Sequence, residues 1–266
     1  MSSLQVYLDG IGVYGPGLSG WQQTAEVLTG RAALVEAPPV LPPIEALPPA
    51  ERRRAGLPIK LAFATGFEAL RQASADPAQL RTVFASSDAD CDNCHAILET
   101  LASADRAVSP TRFHNSVHNA PSGYWSIAAG SRAASTSLCA YDGSFAAGLL
   151  EAATQVGSFG QPCLLLAYDM PYCEPLAALR PIRQPFGVAL LLSPQKTPAT
   201  RARLALQLTP NDVTGVSAPD LERLRAQIPA ARSLPLLQRL AHGAEGSVTL
   251  EYLEGVRLEV EVRHAA

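Results

Sequence analysis

The sequence contains no uncharged apolar run of the roughly 18 residues that a membrane-spanning helix needs. Its N-terminal stretch has no basic start followed by an apolar block, so we expect no secretory signal. Basic residues are not in excess, because 21 Lys and Arg against 24 Asp and Glu give a net charge of −3. This balance gives no electrostatic reason to expect nucleic acid or an anionic membrane as a partner. We therefore expect a soluble cytoplasmic protein.

Motifs for nucleotide and metal chemistry are also missing. The sequence has no P-loop, no GxGxxG placed between a strand and a helix, and no HExxH pattern. The five cysteines are an odd number, and without an export signal they are better explained as reduced thiols than as a disulfide framework. We therefore expect no cofactor and no metal.

Three local histidine patterns have alternative explanations. The segment Cys91–His95 matches the c-type haem attachment pattern, but the motif is short and lies at a predicted helix start, so we favour coincidence over haem or a redox or metal pair. His114 and His118 could share a helix face as zinc ligands do, yet hydrogen bonding at a helix start or interface is the favoured explanation. The pair His242-Gly243 is explained by a helix that ends at the glycine.

The order of apolar segments predicts an α/β fold. Over residues 1–195 the order is β-α-β-α-β-α-β-β, which is typical of a mostly parallel sheet flanked by helices. The predicted strands are 4–14, 81–87, 135–141, 163–168 and 186–192, and the predicted helices are 21–28, 60–73, 88–101, 115–130 and 143–156. Residues 196–266 predict a short α+β C-terminal extension packed on this domain, with strand 202–208, helices 221–228 and 235–240, and a terminal hairpin over 248–262.

The stretch from Ser109 to Asp142 carries a more specific pattern. Ser109-Pro110 is followed by Asn119, Gly123, Ile127, Gly130 and Arg132, and then by strand 135–141. In this spacing the sequence resembles the N-terminal half of β-ketoacyl synthases, which have the thiolase fold. It resembles in particular the chain-length factors found beside ketosynthases in bacterial type II polyketide systems, especially those of aryl polyene pathways. The likeness covers residues 1–195 in layout and residues 109–168 closely.

Where a ketosynthase has its nucleophilic cysteine, the resemblance places Asp142. A carboxylate is a poor nucleophile towards thioesters, whereas Asp142 would be a good N-cap for helix 143–156, contributing about 1 kcal/mol. Cys139 is the fallback nucleophile, although a thiol in an apolar strand is more often a small core hydrophobe. The family's His-Gly-Thr motif, which supplies a catalytic histidine, is not found after Pro194. We therefore expect no catalytic residue.

The resemblance implies a non-catalytic chain-length-factor subunit that forms a heterodimer, or a heterotetramer as the larger alternative, with a ketosynthase. An acyl carrier protein would be a transient partner, and the pathway would be polyene or polyketide biosynthesis, which is related to fatty acid biosynthesis. The alternative is an active acyltransferase or carrier-bound malonyl decarboxylase that uses Cys139 or Asp142. A small-molecule or haem-binding module is a further class, supported only by the haem pattern.

The resemblance also implies where the partner would bind. Thiolase-fold dimers meet through the strand before the nucleophile and the helix after it, which gives Ser137, Cys139, Asp142, Ser144 and Phe145 as the predicted interface residues. By the same analogy, helix 88–101 would line the acyl tunnel with the face Asn93, Ile97 and Leu101. The alternative for that face is an ordinary packing surface in the core.

Overall fold

The computed structural model describes residues 3–88 and 90–264. Its strands are β1 (Leu4–Gly15), β2 (Leu18–Ser19), β3 (Arg81–Ala85), β4 (Ser135–Leu138), β5 (Cys163–Asp169), β6 (Phe186–Ser193), β7 (Ala202–Thr209), β8 (Gly246–Leu253) and β9 (Val256–Arg263). All of them belong to one sheet, in the order β4-β3-β5-β6-β1-β7-β9-β8, with β2 paired to β1. Strand β4 is therefore at one end of the sheet.

The helices connect and cover this sheet. They are α1 (Trp21–Leu28), α2 (Pro49–Arg54), α3 (Leu57–Ala73), α4 (Cys91–Ala102), α5 (Pro110–Asn115), α6 (Ala120–Ala129), α7 (Ser144–Phe159), α8 (Leu176–Leu179), α9 (Pro219–Gln227) and α10 (Leu234–Ala241). Two 3-10 segments, Tyr141–Gly143 and Pro229–Ser233, precede α7 and α10. No helix within the described residues is both long and apolar enough to cross a membrane.

Helices pack against both faces of the sheet. Along β5 the residues alternate, so that Leu164, Leu166 and Tyr168 join one buried cluster while Cys163 and Leu165 join the other. The first cluster includes α3 and α6, and the second includes α7, α9 and α10. Because β5 and β6 are buried at every position, their sequences are apolar up to their last residues, Asp169 and Ser193.

The α/β fold class predicted from the sequence is confirmed, but the expectation of a mostly parallel sheet is wrong. Only β3 pairs in parallel, with β4 on one side and β5 on the other, and the remaining pairings are antiparallel. The physical reason lies in the connections. Long helical crossovers join β3 to β4 and β4 to β5, whereas residues 170–185 contain only a single helical turn, so the chain returns from β5 antiparallel into β6.

Two further differences concern helix boundaries. The predicted helix over 88–101 begins only at Cys91, with the Asp90 carboxylate accepting a hydrogen bond from Asn93 N, and Ala89 lies outside the described residues. The predicted helix over 115–130 forms only over Ala120–Ala129 (α6), and Asn115 is instead the last residue of the preceding helix α5. Residues 196–266, predicted as an extension, add β7, β9 and β8 to the same sheet. The division into two domains stays a prediction.

Candidate functional site at the carboxyl ends of the parallel strands

Polar side chains collect where β3, β4 and β5 end. Asp169, the last residue of β5, accepts hydrogen bonds through Oδ1 from the backbone N and the Oγ of Ser87, at 2.8 and 2.6 Å. Its Oδ2 accepts a third from Ala230 N at 2.6 Å. Burial raises the pKa of Asp169 to about 6, against the three donated hydrogen bonds, which lower it. This carboxyl group therefore ties the ends of two parallel strands to the Pro229–Ser233 segment.

The turn from β4 into α7 is held in an uncommon conformation at Tyr141. This residue has φ +50°, in the left-handed region that non-glycine residues adopt at a cost of roughly 1–2 kcal/mol. Its ring is 62% exposed, and the guanidinium carbon of Arg180 lies 3.8 Å from the ring centroid. Strain of this kind is stored at functional sites when the surroundings fix it. Here the cation–π contact with Arg180 fixes the aromatic ring.

Asp142, the next residue, is held between two arginines. Its Oδ1 lies 2.6 Å from Arg180 Nη2, and its Oδ2 lies 2.9 Å from Arg232 Nη2. Arg232 also pairs with Glu251, which pairs with Arg225. Burial of the Arg180 guanidinium opposes its charge, yet Asp142 raises the pKa of that arginine. The carboxylate at the predicted nucleophile position therefore belongs to a charge network that reaches strand β8 and helix α9.

The expectation that Asp142 caps the following helix is wrong. Helix α7 begins at Ser144, its N-cap is Gly143, and no side chain caps it. The Ser144 hydroxyl donates to Tyr141 O at 2.7 Å and accepts from Ala140 N at 3.0 Å, closing the turn. Gly143 is required there, because a Cβ atom at this position would lie 2.1 Å from the Tyr252 carbonyl oxygen. The Asp142 carboxylate pairs with the two arginines and does not cap the helix.

Cys139 lies at the same edge of the sheet, just beyond β4. The expectation that it is a core residue is wrong, because its side chain is exposed and its Sγ donates to Ser87 O at 3.2 Å. The histidine that the structure places at this edge is His118, whose Nε2 lies 3.2 Å from Ser86 O. A thiol nucleophile needs a base or another activating group within hydrogen-bond reach. The recorded polar contact of Cys139 is instead with a backbone carbonyl.

Two of the predicted interface residues are buried inside the chain. Ser144 is 2% exposed and Phe145 is 1% exposed, because the start of α7 packs against β3, β5 and β8. Both side chains are engaged within the chain, and their place in an interface stays a prediction. Ser137 is half-buried on β4, and its Oγ lies 3.4 Å from Ser122 Oγ.

The face of α4 predicted to line a tunnel is buried at its first residue and exposed at its last. Asn93 is buried, and its amide donates to Arg112 O at 2.8 Å, so it connects α4 to α5. Its place in a tunnel wall stays a prediction. Ile97 is half-buried and Leu101 is 47% exposed, so the outer half of the face is open to a partner.

The structure shows where the histidine and cysteine patterns of the sequence lie. His114 lies in α5 and His118 after its end, so they do not share a helix face. Helix α10 does end as predicted, with Gly243 at φ +59° directly after His242. In the Cys91–His95 segment, Cys91 is buried, Cys94 is exposed and His95 pairs with Glu99. Among the residues described, no group of three or more His, Cys, Asp or Glu could hold a metal.

Several residues of this site carry no signal in the sequence. Arg180 comes from the irregular segment after β5, and Arg232 comes from a 3-10 segment, so no periodicity marks either one. The one hint is Asp142 itself, since a half-buried carboxylate needs a countercharge. Asp169 was hidden because it ends an apolar strand without any surrounding motif.

The sheet, its flanking helices and the turn at the ends of the parallel strands define a thiolase-like α/β protein of the ketosynthase type. The chain belongs to the family of the β-ketoacyl synthase N-terminal domain, whose model matches residues 21–251. This confirms the family resemblance carried by residues 109–142. No protein with a curated description matches the sequence.

Solved structures of the same fold cover nearly the whole chain. One is the ketosynthase ApeO in complex with its chain length factor ApeC from Xenorhabdus doucetiae, with 21% identity, a TM-score of 0.72, and 97% of this chain and 99% of that chain covered. The ishigamide ketosynthase/chain length factor has 13% identity and a TM-score of 0.75, covering 98% and 100%. The complex of AntDE with the acyl carrier protein AntF has 9% identity and a TM-score of 0.76, covering 98% and 99%. At these identities the likeness shows the fold.

Proposed function

We propose that this protein is a non-catalytic chain-length-factor subunit that pairs with a ketosynthase and shapes the acyl tunnel of that partner. The observation that carries the proposal is the position of Asp142 between Arg180 and Arg232. A ketosynthase needs a thiolate at this turn to hold an acyl chain as a thioester. A carboxylate neutralised by two arginines cannot take that role, and the turn is occupied by structural contacts.

The proposal that a partner binds this protein is supported by an unpaired edge of the sheet, strand β4. Among the described residues, β4 pairs only with β3, and its positions are exposed or half-buried. The carbonyl groups of Ala134 and Leu138 accept hydrogen bonds from Thr82 and Ser86. Since ladder contacts alternate along a strand, the backbone groups of Ser135 and Ser137 face the open edge. An open edge of this kind is a template for another strand, and a ketosynthase has the same fold to offer one.

Exposed apolar side chains lie on the helices between β3 and β4 and at the turn after β4. They are Leu98 and Leu101 on α4, Phe113 on α5, Val117, Ile127 on α6, and Tyr141 at the turn, each between 47% and 71% exposed. Helix α6 packs beside β3 and β4, and α4 packs on α5. Exposed large apolar groups near an unpaired strand favour a protein–protein contact. We assign the far end of the partner's acyl tunnel to the outer face of α4, formed by Ile97 and Leu101.

Co-expression with a ketosynthase encoded beside this protein tests the proposal. The wild-type chain should co-purify with it at equal stoichiometry, and acyl chain extension should require both. The variant Ser137→Pro removes the outward N–H while leaving the bonds of β4 to β3 in place, so it should abolish co-purification. Its control, Ser137→Ala, keeps that N–H and should still assemble. Normal assembly of a folded Ser137→Pro variant, verified by circular dichroism, would refute pairing through β4.

The exposed thiol of Cys139 favours one alternative function, an acyltransferase or malonyl decarboxylase that acts on carrier-bound substrates. The thiol lies at the carboxyl end of β4, where it could reach an acyl group. This alternative predicts turnover by the chain without a partner, and loss of that turnover in Cys139→Ala. The pairing proposal predicts that Cys139→Ala leaves the activity of the assembled complex unchanged. An acyl carrier protein is a transient partner under both.

A further inference from the structure

Two free thiols lie against each other beside the candidate site. The Sγ atoms of Cys91 and Cys173 are 3.3 Å apart. Cys91 is the first residue of α4 and is 4% exposed, whereas Cys173 is half-buried in the irregular segment after β5. The two residues are 82 positions apart in the sequence, so their contact is made by the fold alone.

The geometry suits a covalent bond between them. A disulfide has an S–S distance of about 2.05 Å, so the two sulfurs need to approach by only about 1.3 Å. Cys91 is the first residue of helix α4, whereas Cys173 lies in the irregular segment before α8 and is tied to it by one backbone hydrogen bond, from Ala177 N to Cys173 O. We expect Cys173 to make most of the approach, since an irregular segment can absorb such a shift.

We propose that Cys91 and Cys173 are a redox-responsive pair, which a low-molecular-weight disulfide oxidises to an intramolecular disulfide. In the first step the more accessible Cys173 sulfur attacks the reagent, forms a mixed disulfide and releases one thiol. The Cys91 sulfur then attacks Cys173 Sγ and expels the second thiol. The two protein thiols lose two electrons and two protons, and the reagent disulfide becomes two thiols, so the reaction balances.

The surroundings set the rate of this reaction. Burial raises the pKa of Cys91 to about 12, with a further contribution from Asp88, so this thiol is almost entirely protonated near neutral pH. Cys94, three residues along the same helix, is exposed to reagents. We therefore expect the exposed cysteines Cys94 and Cys139 to form mixed disulfides quickly as a side reaction, and the internal bond, which is made through Cys173, to form more slowly.

The cross-link would connect two parts of the site. It would join the first turn of α4 to the segment of residues 170–184, which also carries Arg180. Arg180 in turn contacts Tyr141 and Asp142 at the turn before α7. Oxidation would therefore stiffen the carboxyl edge of the parallel strands, whatever the role of that edge. The proposal does not depend on the proposed function.

Incubation of the full-length protein with oxidised glutathione, followed by alkylation and non-reducing peptide mapping, tests it. We expect two of the five thiols to be lost in one internal bond, a Cys91–Cys173 peptide pair, and a higher midpoint of thermal unfolding that dithiothreitol reverses. The variants Cys91→Ser and Cys173→Ser should each form no internal bond, whereas Cys94→Ser should form the Cys91–Cys173 bond as the wild type does. Recovery of both residues as alkylated or glutathione-bound peptides, or a Cys91–Cys94 bond instead, would overturn the proposal. Because the mapping is done on the wild type, it holds even where a serine variant fails to fold.

Discussion

Oδ1 of Asp142 lies 2.6 Å from Nη2 of Arg180, and the side chain of that arginine is only 15% exposed. Asp142 itself is 37% exposed, so water screens part of the attraction. The Asp142 carboxylate stabilises the protein mainly by neutralising Arg180 and Arg232, whose side chains are only 15% and 16% exposed. The pair links the irregular segment after β5 to the turn before α7.

Removal of this carboxylate should destabilise the protein. Asp142→Ala leaves Arg180 and Arg232 without their shared anion, and we expect the free energy of unfolding to fall by about 1–2 kcal/mol. Asp220→Ala is the matched control, because Asp220 is 59% exposed in its pair with Arg223 and its loss should cost less than about 0.5 kcal/mol. Urea denaturation measures both. Equal losses in the free energy of unfolding would show that the Asp142 network stabilises the protein no more than an exposed ion pair does.

A glycine pair tests how tightly the turn packs against β8. Gly143→Ala places a methyl group 2.1 Å from the Tyr252 carbonyl oxygen, so the turn must move, and we expect a loss of about 1–3 kcal/mol in stability. Gly123→Ala in α6 meets no atom within 4 Å and adds helix propensity, so it should stabilise by about 0.5–1 kcal/mol. Thermal or chemical denaturation distinguishes the two. A neutral Gly143→Ala would mean that the turn is loosely held.

The buried Asp169 predicts a pH dependence of stability. Burial raises its pKa from 3.8 to about 6, so between about pH 4 and pH 6 the native state keeps a proton that the unfolded chain has released. The free energy of unfolding should therefore fall as the pH rises through this window and level off above it. Asp169→Asn cannot titrate, so it should flatten that part of the profile, whatever its own mean stability. An unchanged slope in Asp169→Asn would assign the dependence to other groups.

The outer face of α4 predicts an effect on products. Ile97→Ala and Leu101→Ala, in complex with the ketosynthase, should shift products towards longer chains, because each removes apolar volume from the proposed tunnel end. Leu208→Ala is the control, since Leu208 is 50% exposed on β7, far along the sheet from β4. Mass spectrometry of extracted products gives the length distribution. Identical distributions in all four proteins would remove this face from the tunnel.

Much of the fold could be predicted from the sequence because apolar patterns are local. Helix α1 has the predicted bounds, and β5 and β6 each extend one residue beyond the predicted range, since their continuous apolar runs reflect burial on both faces. The direction of a strand relative to its neighbours is not set by its local sequence. Whether β6 runs parallel to β5 depends on the connection between them, and a segment with one helical turn gives no periodic signal.

The sequence indicates where the turn lies but not the chemistry of its surroundings. A turn between a strand that starts at Ser135 and a helix after Asp142 is predicted from local pattern and is present between β4 and α7, while the role of Asp142 at a nucleophile position stays a prediction. The partners of Asp142, Arg180 and Arg232, lie more than thirty residues away along the chain. No local sequence pattern predicts contacts of this kind. Burial of Ser144 and Phe145 was missed for a related reason, since the face of α7 that turns inward is set by β3 and β5.

The most direct test of the central claim is the site of acylation in a complex of this protein with its ketosynthase. Both subunits are incubated with a labelled acyl carrier protein, separately and together, and intact mass is measured for each. We expect the label only on the ketosynthase, and no added mass on this protein with or without its partner. A stoichiometric acyl adduct on this protein alone, mapped to Cys139 or to the turn at Asp142, would contradict it.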